Sequence, residues 1–152
     1  MDAGADRHGE GPEGATAREM SVAVADTHAL VWFALGPGRR LGRRARTLFE
    51  RAERGQATIY VPVLVLVEVA EAIRRGALRC EGGFSRWAER LLTSGRFVAA
   101  DLTPAIVLAA EGLYTIPERG DRLIAATALH LDAALITRDA VLARVPGLST
   151  VW

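Results

Sequence analysis

Four carboxylates stand where a strand ends or where the surroundings are apolar. Asp26 directly follows "SVAVA", Glu68 is embedded in "VPVLVLVEVA", Asp121 opens "DRLIAATALHLD", and Asp139 comes just after "AALIT". Three of them have a simple alternative duty as helix caps: Asp26 for a helix starting at Thr27, Asp121 for its own helix, and Asp139 for the short run "AVLARV". Capping does not cover Glu68, which falls in mid-helix between Val67 and Val69. A carboxylate buried there must be protonated, paired with an arginine, or bound to a cation. If all four converge, two like charges about 4 Å apart repel by roughly 4 kcal/mol at an effective dielectric near 20. Hard divalent ions such as Mg²⁺ or Mn²⁺ select carboxylate and water oxygens and would offset that repulsion. Such ions are good at phosphodiester hydrolysis, where they activate water and stabilise the leaving oxygen.

The elements that must position these acids can be read from apolar periodicity. Strand-like runs at "SVAVA", "ATIYV", "RFVAADL", "AALITR" and "LSTVW" alternate with helical patterns at "THALVWFAL", "GRRARTLFERAERG", "PVLVLVEVAEAIRRG", "FSRWAERLLTSG", "TPAIVLAAEGL" and "DRLIAATALHLD". Strands separated by helices predict an α/β fold with parallel pairing and helices on both faces. Ligands then bind beyond the carboxyl ends of the strands, where Asp26 and Asp139 fall. Pro62 and Pro104 suit a first helical turn, with Thr103 as N-cap. Gly55, Gly76 and Gly112 fall just past helical runs, where a left-handed closing residue is usual. "GPG" at 36–38 and "CEGG" at 80–83 read as breaks.

The 152 residues suit one domain. Residues 1–20 are Gly-rich and acidic without periodicity, which predicts a disordered tail before a folded domain over 21–152. That tail has no apolar centre of a secretory signal, and no run is long and apolar enough to span a bilayer. With the single cysteine, Cys80, this favours a reducing, cytoplasmic setting and no membrane partner. The net charge of +1 divides into an acidic tail and a mildly basic remainder, and all 19 basic residues are arginine. The missing lysine excludes a Walker-type phosphate loop. It also argues against haloacid-dehalogenase-type phosphatases and response-regulator receivers, which use a strand-ending Asp together with a lysine.

The residues resemble the PIN domain family, and within it the VapC-type toxins of bacterial toxin-antitoxin pairs. "VADTHALVWFAL" is similar to the family's opening strand and first acid, "VLVEVAEAIRRG" to its second, "GDRLIAATAL" to its third and "LITRDAVL" to its fourth. The resemblance implies a three-layer α/β/α sandwich with a central parallel sheet. It also implies a Mg²⁺-dependent (or Mn²⁺-dependent) endoribonuclease in which Asp26, Glu68, Asp121 and Asp139 are the catalytic and metal-holding acids and Thr137 supports them. By the same resemblance the partners are an RNA substrate, a second copy of the chain in a homodimer, and a cognate VapB-like antitoxin. Val65 stands where the family often has a serine, and the loop "IPERG" is shorter than is common there. A non-catalytic PIN-like module that binds RNA or a protein partner is the rival reading.

Arg122 and Arg138 each adjoin a cluster acid and are candidates for RNA phosphates or for counter-charge to the acids. Arg43 belongs to a basic run with Arg39, Arg40, Arg44 and Arg46, either a solvated helix face or an RNA-facing rim. His28 is two residues from Asp26, about 200° away around a helix, which favours a structural or orienting role over that of general base. His130 suits a helix end. Trp32, Trp87 and Trp152 read as core or interface anchors rather than base-stacking platforms.

Overall fold

A computed structural model describes residues 21–152; the expected disordered tail lies outside the described residues. Five strands, β1 (Val22–Ala25), β2 (Thr58–Pro62), β3 (Phe97–Ala100), β4 (Ala134–Ile136) and β5 (Thr150–Val151), form one sheet in the order β3-β2-β1-β4-β5. Every pairing is parallel. Helices α1 (Thr27–Ala34), α2 (Arg43–Glu53), α3 (Val63–Arg74), α4 (Gly83–Thr93), α5 (Pro104–Glu111) and α6 (Arg119–His130) flank it. The expected α/β/α architecture with a central parallel sheet is therefore present.

β1 and β4 are central, and their sequences show why. Ala23, Val24 and Ala25, like Ala134, Leu135 and Ile136, are all buried, as continuous apolar runs are when helices cover both faces of a parallel sheet. The chain runs outward from β1 through β2 to β3, then returns to the other side of β1 for β4 and β5. The strand order thus reverses between β1 and β4, and the crevice beyond their carboxyl ends is where open α/β sheets bind ligands. Ala25 pairs with Ile136, so Asp26 and Thr137 emerge side by side. The Asp26 N–H donates to the Ile136 carbonyl at 3.2 Å and prolongs the ladder by one step.

Local signals set most boundaries. Asp26 caps α1, its Oδ1 accepting from the Ala29 N–H at 2.7 Å. Thr103 Oγ1 accepts from the Ile106 N–H, with Pro104 in the first turn of α5. Gly55 and Gly76 adopt the left-handed conformation, at φ 71° and 76°. Gly112 does not: its φ is −69°, and α5 closes instead through tight i→i−3 bonds from Gly112 to Ala109 and from Leu113 to Ala110. Pro62 ends β2 and precedes α3 rather than standing inside it. α6 starts at Arg119, two residues earlier than expected, which places Asp121 within its first turn and not at its cap. The run after Asp139 is a single 3₁₀ turn, Leu142–Arg144, not an α-helix.

The core is one main cluster drawn from nearly every element, with Phe33 stacked on Phe49 at 4.4 Å between ring centroids. Trp87 is buried in it. Among the described residues no helix is long and apolar enough to cross a membrane.

Candidate active site

Asp26 follows β1, Glu68 lies on α3, Asp121 lies in the first turn of α6, and Asp139 follows β4. All four line a single cleft of 1260 Å³, with Thr137 and His28 also on its wall. The cleft lies at the carboxyl edge of the sheet, at the reversal between β1 and β4.

α3 is less buried than its apolar sequence suggests. Only Val65 and Val69 are buried in it, Val67 is half exposed, and Glu68 is half-buried on the side facing the cleft. Among the described residues no arginine pairs with Glu68. An ion pair on the same helix joins Arg74 to Glu71 at 2.5 Å. Glu68 instead accepts a short hydrogen bond from the Thr27 hydroxyl. Val65, the position where a serine is common, is fully buried in the core and does not line the cleft.

The carboxylates are braced locally. Asp26 accepts from the Ala29 N–H, and Asp139 Oδ1 accepts from the Val141 N–H at 2.8 Å. Buried Thr137 joins the two: its Oγ1 accepts from the Asp139 N–H at 3.1 Å, and it hydrogen-bonds the Asp26 carboxylate. Burial raises the Asp26 carboxyl above its ordinary range, while the Thr137 and Ala29 hydrogen bonds and the nearby His28 oppose the rise. Asp121 is pushed up to about 6, first by burial and then by the negative charges of Asp139, Glu118, Asp26 and Glu68. The four acids therefore sense one another across the cleft.

A glycine permits part of this convergence. A Cβ on Gly120 would lie 2.7 Å from Glu68 Oε1, so with the carboxylate where it stands this backbone approach leaves room for glycine alone. Sequence reasoning missed Gly120 and treated Thr27 only as a helix start. A glycine immediately before a cluster acid, in the first turn of a helix it weakens, was the available signal.

The basic candidates separate. Arg138 lines the cleft, with its guanidinium 4.5 Å from the Trp32 ring centroid. Arg122, one residue after Asp121, turns away and donates to the Ile116 and Pro117 carbonyls at 2.8 and 3.0 Å, bracing the loop before α6. Arg43 is exposed on α2 and does not line the cleft, whereas Arg40 of the same basic run does.

All-oxygen donors and mutual repulsion suit a hard cation. Among the described residues, however, no three His, Cys, Asp or Glu side chains stand where together they could hold a metal ion. The arrangement is a row of acids around an open cleft, in which a cation would complete its sphere with water or phosphate oxygens.

In fold, the chain is similar to VapBC2 from Rickettsia felis, whose crystal structure shows it bound to a DNA fragment from their promoter. The TM-score is 0.65 at 19% identity, covering 86% of this chain and 98% of that one. It is also similar to a toxin-antitoxin complex from Klebsiella pneumoniae, with TM-score 0.57, 20% identity, and coverage of 86% and 96%. FitAcB from Neisseria gonorrhoeae gives 0.59 at 16% identity with the same coverage. No curated protein sequence matches the chain. Residues 23–148, which run from β1 through the whole acidic cleft, match the PIN domain model, and the chain belongs to that family.

Proposed function

We propose that this PIN domain is a metal-dependent endoribonuclease and the toxin half of a VapBC-type pair. The observation that carries this reading is the row of four carboxylates at the sheet's reversal point, close enough that their charges help push Asp121 up to about 6. PIN domains are typically nucleases. In this reading Asp26, Glu68, Asp121 and Asp139 hold Mg²⁺ or Mn²⁺. Bound there, such an ion would supply the charge that activates water and stabilises a leaving oxygen. Thr137 and Thr27 hold Asp26, Asp139 and Glu68 in place.

The neighbours support one of the partners. Those structures are toxin-antitoxin complexes or are named as paired proteins, which supports a VapB-like antitoxin for this chain. Leu108 on α5 and Tyr114 beyond it are 74% and 82% exposed, leaving apolar surface for an antitoxin or a second copy in a homodimer. A cytoplasmic setting belongs to the same reading.

The test compares cleavage of tRNA, mRNA and rRNA fragments in Mg²⁺ or Mn²⁺ by wild type, Asp26→Ala and Asp26→Asn. Alanine removes both the cap on α1 and the charge, at about 1 kcal/mol for the cap, whereas asparagine caps as well as aspartate. Both variants are expected to lose cleavage, with only Asp26→Ala losing stability. Cleavage retained by Asp26→Asn overturns the site, and RNA bound but uncut by wild type supports the non-catalytic rival.

A further inference from the structure

One wall of the cleft is built unlike the rest. Trp32, on α1, is 7% exposed, and its ring is surrounded: Arg138 lies 4.5 Å and Arg40 5.8 Å from the centroid. His28 is tilted against it at 5.6 Å, and Trp152 meets it edge-on at 5.7 Å. Trp152 reaches this position because residue 42 is glycine, where a Cβ would come within 2.3 Å of the Trp152 backbone. A ring so enclosed offers no free face to a nucleobase.

Its two arginines are different. Both are exposed and line the cleft, and neither forms an ion pair or donates a hydrogen bond among the described residues. This matters because Asp139 is the next residue after Arg138 and Asp26 is on the same wall. An unconstrained guanidinium would be drawn to those carboxylates and would neutralise the row a cation needs. Cation–π attraction acts within about 6 Å of a ring centroid and occupies no hydrogen-bond acceptor. The in-plane N–H donors, whose fork matches phosphate oxygens, are left free.

We propose that Trp32 is a positioning residue that parks Arg138, and more loosely Arg40, as a phosphate-binding edge beside the acidic row. The ligand is the backbone phosphate of single-stranded RNA adjacent to the one facing the carboxylates. The inference rests on the ribonuclease reading and deepens it. Trp32 itself touches no substrate; it keeps the arginines off the acids and preorders them for phosphate.

The test uses the full chain and a labelled single-stranded oligoribonucleotide. Steady-state cleavage in Mn²⁺ gives KM and kcat, and anisotropy in an Asp121→Asn background, which keeps the RNA whole, gives Kd against salt. Arg138→Gln should raise KM and Kd by about tenfold with kcat within about twofold, and flatten the salt slope by about 0.7, the value for one lost single-strand phosphate contact. Trp32→Phe, which keeps a weaker ring, should raise both about threefold. In the Arg138→Gln background it should add almost nothing. Arg90→Gln, on α4 away from the cleft, should match wild type. A purely structural Trp32 would lower the melting temperature, leave KM unchanged, and add its effect to that of Arg138→Gln. Either that pattern or an unchanged Kd and salt slope in Arg138→Gln, with wild type still cutting RNA, overturns the inference and leaves the ribonuclease reading standing. A wild type that neither binds nor cuts RNA overturns both.

Discussion

Glu68 is held from two directions by residues with no charge. The Thr27 hydroxyl donates to Oε2, and the bare backbone of Gly120 leaves room for Oε1. Substituting Gly120 by alanine separates the site from the fold. The added methyl would stand 2.7 Å from Oε1, the far end of a flexible side chain, so the carboxylate can swing away at little cost to folding. Alanine also favours the helix by up to about 1 kcal/mol over glycine. Gly120→Ala should therefore melt within about 2 °C of wild type, or above it, in calorimetry. RNA cleavage should fall about a hundredfold, the scale expected when a catalytic group is displaced by about 1 Å. Unchanged cleavage would mean that the Glu68 position does not matter to the chemistry.

At the level of elements, two strand ends and two helices bring the acids to one cleft, and Asp121 shows the electrostatic consequence. Its carboxyl titrates near 6 in the folded chain against an ordinary 3.8. As pH rises between those values the unfolded chain gives up its proton first, so the folded state binds more protons and stability falls. Above about 6 the group contributes no further change. Metal-free wild type should thus melt higher at pH 4.5 than the Asp121 charge allows at pH 7. Asp26, shifted the same way, adds to the trend. Asp121→Asn should flatten the profile and melt higher at pH 7, by about 1 kcal/mol once screening of a half-buried group is allowed for. Parallel profiles would contradict the origin of the shift. The strands, Asp26 after β1 and Asp139 after β4 were legible because apolar runs followed by an acid have a period and a fixed place in a parallel sheet. The face that Glu68 presents was not: "VPVLVLVEVA" is apolar at nearly every position, so periodicity cannot say which residues meet the core, and α3 exposes Val67. Thr27 and the turning away of Arg122 were equally hidden, because each depends on a contact with another segment or on which side of a helix an adjacent residue points, whereas Gly120 left a signal that was not read.

Across the whole molecule, charge is divided between the cleft and the body. The cleft is lined by six acids and four arginines, while the rest of residues 21–152 carries seven acids and thirteen arginines. A basic body draws a polyanion to the surface over distances of about a Debye length, and an acidic cleft draws cations to the place where the proposed function would cut it. These two attractions respond differently to added ions. Sodium chloride screens both and fills no site, whereas Mn²⁺ at the same ionic strength should bind the carboxylate row and stabilise only the folded chain. Ligand at a hundredfold excess over its Kd contributes about 2.7 kcal/mol, which for a domain of this size is a rise of several degrees in Tm. Wild type should show that rise with Mn²⁺ and not with matched sodium chloride, and Asp121→Asn should lose most of it. Equal shifts in both salts would reduce the cleft to a screened surface charge. A metal-specific shift abolished by removing one acid would tie the stability of the domain to an ion held by the carboxylate row, as the proposed function requires.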